Sequence, residues 1–71
     1  MAVEILMTVL ANPRITPQEI SGKTEISPQY VRNTLRVLTE LNLVETPVRG
    51  IYLITELGKY VLELASQPNN L

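Results

Sequence analysis

Arg32, Asn33 and Arg36 follow Gln29 by three, four and seven residues, the spacing that brings side chains onto one face of an α-helix. Each has a chemistry suited to base edges. A guanidinium fork matches O6 and N7 of guanine, and a carboxamide, donor beside acceptor, matches N6 and N7 of adenine. This is a chemistry of binding. For catalysis the chain offers little, because it has no histidine or cysteine and its seven acidic residues are all glutamates. No nucleophile with its base can be assembled, thiolate and imidazole metal sites are excluded, and there is no glycine-rich phosphate loop. The expectation is a protein that is not an enzyme and needs neither metal nor cofactor.

A polar face of this kind needs a helix whose other side is anchored. Ser27-Pro28 opens one: serine is a favoured N-cap, and proline supplies a pre-set first turn. The helix is expected over about residues 28–41, with Val31, Leu35 and Leu38 on the inner face and Thr34 and Leu41 beside them. Tyr30 falls at the edge of the polar face. Upstream, Thr16-Pro17-Gln18-Glu19 is a capping box that opens a shorter helix ending near Lys23 or Thr24, with Ile20 as its main inward residue. Two helices joined by a turn of about four residues describe a helix-turn-helix. Its second helix could enter the major groove, while Ser27 and the first amides of that helix hold a phosphate.

The remaining elements frame this pair. Val44 to Thr46, the break Pro47-Val48-Arg49-Gly50, and Ile51 to Thr55 read as a short hairpin with a glycine in its turn. Thr55 then caps a last helix, with Leu57, Tyr60, Val61 and Leu64 as its expected inner face and Leu62 on the flank. In the first helix, Val3, Ile5, Leu6, Met7, Val9 and Leu10 cover roughly 200° of the circumference, against about 100° for an ordinary surface helix. A core of 71 residues cannot use all of that surface. The surplus predicts a homodimer joined through the first and last helices, with Val3, Leu6, Met7, Leu10 and Leu62 at the interface.

The stretch TPQEISGKTEISPQYVRNTLRVLTELNLVE resembles the helix-turn-helix of small winged-helix transcription regulators of the MarR-, ArsR- and PadR-like group. GIYLITELGKYVLEL resembles the second wing strand and closing helix of the same group, so the resemblance covers roughly residues 14–65. It implies an α+β, mainly α, winged helix-turn-helix fold: a three-helix core, a two-stranded wing and a C-terminal helix. It also implies sequence-specific binding to double-stranded DNA. Two positions depart from the pattern: Glu25 stands where glycine is usual in the turn, and Asn42 where glycine is common after the second helix. A non-glycine residue held left-handed costs about 1–2 kcal/mol, though asparagine tolerates that conformation.

The DNA-contacting set expected from this reading is Ser27, Pro28, Gln29, Tyr30, Arg32, Asn33 and Arg36 on the second helix and its cap, with Arg49 at the wing tip. Lys23 and Arg14 are expected to add backbone contacts. The plain alternative is a solvated helix face with Arg36 paired to Glu40. The functional alternative is a winged-helix protein–protein interaction module in a larger assembly, which a net charge of −1 and a pI near 5.2 would suit. RNA is a weaker third, since aromatic stacking platforms are missing. No apolar run approaches the ~20 residues that span a bilayer. The apolar start, Met1 to Ala11, carries Glu4 and lacks a basic leader and a small-residue cleavage site. The expectation is a cytoplasmic protein with no membrane partner and no appended effector domain: one domain over residues 1–66 and a flexible tail over 67–71.

Overall fold

The structure, a computed structural model, describes residues 2–67. The expected tail at 67–71 therefore lies, apart from Gln67, outside the described residues. The chain order is α1 (Ala2–Ala11), α2 (Pro17–Thr24), α3 (Pro28–Glu40), β1 (Val44–Val48), β2 (Ile51–Ile54) and α4 (Glu56–Ser66). This is the mainly helical α+β arrangement expected, a three-helix core with a two-stranded wing and a closing helix. Ile5, Leu6 and Val9 of α1, Ile20 of α2 and Val31, Leu35 and Leu38 of α3 meet in one core. Ile15, Ile26 and Val44 from the connections and Leu62 of α4 complete it. No helix among the described residues is long and apolar enough to cross a membrane.

The core uses only half of the apolar surface of α1. Ile5, Leu6 and Val9 are buried, whereas Val3, Met7 and Leu10 are 49%, 56% and 43% exposed. Leu6, expected at a dimer interface, is a core residue of its own chain.

In α4 the expected face is wrong. Leu57, Tyr60 and Leu64 face outward and Val61 is half-buried, while Gly58 and Leu62 are buried. The cause is a close backbone approach. A Cβ on Gly58 would overlap the carbonyl oxygen of Leu43 and lie 2.7 Å from Cγ1 of Ile54. Only glycine permits that contact, so Gly58 faces inward, and Leu62, one turn later, follows it into the core. Leu62 too is therefore placed in the core of its own chain, where the sequence reading had it on an exposed flank.

The wing also differs in detail. β1 runs on to Val48, through Pro47, and pairs antiparallel with β2 in the register Val44↔Ile54, Glu45↔Leu53 and Val48↔Ile51. Thr46 and Pro47 together oppose the single residue Tyr52, so β1 carries a bulge, a place where proline's missing donor costs nothing. Ile15 adds a one-residue bridge to the free side of β2, where the Tyr52 amide donates to its carbonyl at 2.9 Å. Tyr52, half-buried, packs against the core.

Gly58→Ala is expected to destabilise the domain by about 1–3 kcal/mol, the usual range for overpacking. Gly22→Ala, in α2 where a Cβ would meet nothing within 4 Å, should instead gain about 0.5–1 kcal/mol. Urea midpoints of the two variants against the parent check both signs.

Candidate nucleic-acid interface

The interface is built from α2 forward. Thr16 and Glu19 form the full capping box: the Thr16 amide donates to Oε1 of Glu19 at 2.9 Å, and the Glu19 amide donates to Oγ1 of Thr16 at 3.2 Å. The hydrogen bond from the Thr16 amide, and next that from its hydroxyl, hold the Glu19 carboxyl below its ordinary value of 4.5. At its other end α2 closes on Glu25, which is left-handed at φ 60° and donates its amide to the Ser21 carbonyl at 2.9 Å.

Side chains that the sequence reading did not single out pin this turn. The Ser21 hydroxyl donates to the Ile26 carbonyl at 2.6 Å, and the Ile26 amide donates to the Thr24 hydroxyl at 3.3 Å. Ile26 itself inserts into the core. The Ser-x-x-Thr-x-Ile spacing was visible in the sequence, but its bonds exist only once Glu25 turns the chain back.

Helix α3 starts at Pro28, with Ser27 as cap accepting the Tyr30 amide at 3.2 Å. Its inner stripe is Val31, Leu35 and Leu38, as the pattern implied. Gln29, Tyr30, Arg32, Asn33 and Arg36 are all exposed. Three of them form a ladder along the outer face: an Arg32 guanidinium nitrogen donates to Oε1 of Gln29 at 3.4 Å, and Nε2 of Gln29 donates to Oδ1 of Asn33 at 3.3 Å. Arg36 is not paired with Glu40, for the ion pair found among the described residues is Lys59–Glu56 at 3.1 Å.

The far end of α3 is closed by a second left-handed residue, Asn42 at φ 63°. The Leu43 amide donates to the Leu38 carbonyl at 2.9 Å and the Asn42 amide to that of Thr39 at 3.0 Å, the paired bonds of a Schellman ending. Leu41, expected beside the inner face, is exposed at this end. Thr55, the cap of α4, donates its hydroxyl to the Asn42 carbonyl at 2.6 Å and ties α3 to the base of the wing.

Arg49 lies in the two-residue wing turn with Gly50, whose φ of 84° supplies the reversal. Beside it Val48 is 60% exposed, an apolar tip that sequence reasoning passed over. Lys23 sits exposed in the last turn of α2. Arg14 is exposed in the α1–α2 connection, left-handed at φ 62° and next to the Ile15 bridge, so it stands by β2 and not on the outer face of α3.

The sequence model of winged helix-turn-helix DNA-binding domains matches residues 3–45, from α1 through the start of the wing. The chain belongs to this family. No curated protein sequence matches it. Among solved structures it is similar to IdeR of T. acidophilum, with a TM-score of 0.79 at 23% identity, over 84% of this chain. That likeness concerns the fold, and the chain spans only 30% of that protein's length. The winged helix-turn-helix family is one of DNA binding, in keeping with the hydrogen-bonding groups exposed along α3.

Because the folded Glu19 carboxyl titrates below its unfolded value, the capping box stabilises α2 fully above the ordinary glutamate range. That contribution is lost as pH falls through the lowered folded value. Thermal unfolding of the parent should therefore weaken across this acidic window more than that of Glu19→Gln, whose side chain does not titrate. Parallel curves for the two proteins would show that the box does not act through the carboxylate.

Proposed function

We propose that this domain is a sequence-specific reader of duplex DNA that regulates transcription. In this reading it lays α3 in the major groove, sets the 47–50 wing against the backbone or minor groove, and works as a homodimer through α1 and α4. The observation that carries the reading is the outer face of α3, where Gln29, Arg32, Asn33 and Arg36 are exposed and Arg32 and Arg36 form no ion pair among the described residues. A solvated structural helix would use such arginines against its own acids; here Glu40 is within helical reach and is not used.

The roles divide by chemistry. Arg32 and Arg36 address guanine, and Gln29 and Asn33 address adenine. Ser27 spends an oxygen lone pair on the Tyr30 amide, which leaves its hydroxyl hydrogen and the Gln29 amide for a phosphate. Pro28, with no amide of its own, and Tyr30 flank that point, Lys23 reaches the backbone from α2, and Arg14 does so from beside β2. Val48 and Arg49 give the wing an apolar tip next to a cation, suited to a groove edge.

Gel shifts against the DNA upstream of the protein's own coding region test the reading. Arg32→Ala or Arg36→Ala should cost about 1–3 kcal/mol and relax preference at one base position, whereas Arg49→Ala should weaken all sequences alike. Three or four phosphate contacts per subunit predict a log–log salt slope of about −3 to −4, doubled for two subunits. Folded variants that bind like the parent would remove α3 from the groove. A flat salt response would favour a protein-interaction module, which the pI near 5.2 also suits.

A further inference from the structure

The buried stripe of α3, Val31, Leu35 and Leu38, defines the line along the helix that points straight out, and the side chains fall unevenly on its two sides. At about 100° per residue, Gln29, Asn33 and Glu40 lie within about 30° of that outward line. Arg36 lies about 50° to one side of it, with Arg32 further round, and Val37 lies about 50° to the other, with Tyr30 further round. The outer face therefore has a cationic edge and an apolar edge. Val37 is 48% and Tyr30 43% exposed, so neither is committed to the core. The fold does not account for a valine at this place. A β-branched residue is a poorer helix former than alanine, and half in water it adds little to the packing.

We infer, on the basis of the DNA reading above, that Val37 is itself a base-reading residue, set against the C5-methyl of a thymine beside the adenine met by Asn33. An α-helix with its side chains is about 10–12 Å across and the major groove about 12 Å wide, so the groove encloses both edges of the face that enters it. A helix placed to bring Arg36 to base edges cannot leave Val37, equally far round on the other side, in bulk water. What Val37 meets is then decided by chemistry. The base edges in that groove carry donors and acceptors and one apolar substituent, the C5-methyl group of thymine. Against any other edge the valine would strip water from a polar atom and offer no hydrogen bond in return, which is costly. Asn33, one turn before Val37 and about 40° round from it, sets a carboxamide suited to adenine about 5–6 Å away, Cβ to Cβ. Glu40, at the end of α3 and close to the outward line, marks where the helix must leave the groove, since the phosphates repel a carboxylate. Val37 stands before that limit.

Removal of single methyl groups from the DNA tests this. The whole chain first selects its tightest duplex from a randomised pool. Each thymine of that duplex is then replaced singly by deoxyuridine, which takes away the methyl and keeps every hydrogen-bonding group. At least one thymine should be sensitive, its replacement weakening binding about three- to fivefold, the effect of returning one group of that size to water. It should adjoin the position at which Asn33→Ala relaxes base preference. Val37→Ala, with folding verified by circular dichroism, should bind the thymine duplex more weakly by the same factor and be indifferent to the uracil replacement, so that the cycle of protein and DNA changes closes. A duplex with no uracil-sensitive thymine, or a sensitivity that persists in Val37→Ala, would overturn the inference and leave the DNA reading standing. A parent chain that enriches no duplex from the pool would overturn the DNA reading, and the role of Val37 with it.

Discussion

Burial of Val31, Leu35 and Leu38 fixes how far α3 is rotated about its own axis, and the rest of the molecule is arranged around that rotation. Each of these side chains contributes about 1.5–3 kcal/mol by leaving water. Turning the helix by one residue, about 100°, would expose them and carry Arg32 toward the core, where an unpaired guanidinium costs several kcal/mol. The polar face is thus held outward by the apolar one. Packing alone does not set the position of the helix along its axis or its tilt; those are set at its two ends.

Both ends are closed by left-handed residues that are not glycine, Glu25 before α3 and Asn42 after it. Asparagine bears this conformation easily, but glutamate does so at a cost of about 1–2 kcal/mol. At Glu25 that cost is met by neighbours. Ser21 and Thr24 bond to the carbonyl and amide of Ile26, and the Ile26 side chain is buried, so the turn has one geometry whatever Glu25 would prefer alone. Beyond Asn42, the Thr55 hydroxyl holds the Asn42 carbonyl and the Gly58 backbone rests on Leu43. Strain accepted at two single residues therefore positions a 13-residue helix against both α2 and the wing.

What could be read from the sequence was what depends on near neighbours. The capping box at Thr16, the Ser27-Pro28 start and the inner stripe of α3 are local patterns, and each has its expected partners within five residues. The face of α4 was not readable, because that helix is apolar on opposite sides. Leu57, Tyr60 and Leu64 make as good a helical stripe as Gly58 and Leu62, and a stripe ending in leucine outweighs one beginning in glycine. The deciding contact, Gly58 on Leu43, joins elements fifteen residues apart and leaves no periodic trace. Ile15 bridging Tyr52 and the bulge that lets β1 run through Pro47 were hidden for the same reason: each is a pairing across the fold, not a property of a segment.

A net charge of −1 is low for a DNA-binding domain, and how the charges are placed matters more than their sum. The arginines of α3 and the wing are exposed and pair with no acid among the described residues, so their field is available to a polyanion. The seven acids are spread over the fold: Glu4 on α1, Glu19 on α2, Glu25 in the turn before α3, Glu40 at the end of α3, Glu45 on β1, and Glu56 and Glu63 on α4, where Glu56 is paired with Lys59. A chain with no net positive charge has little to spare for indiscriminate attraction to phosphate, the main source of nonspecific affinity. In the proposed reading its affinity would come from base-edge contacts along α3 and from doubling the site in a second copy, and low net charge would then favour selectivity.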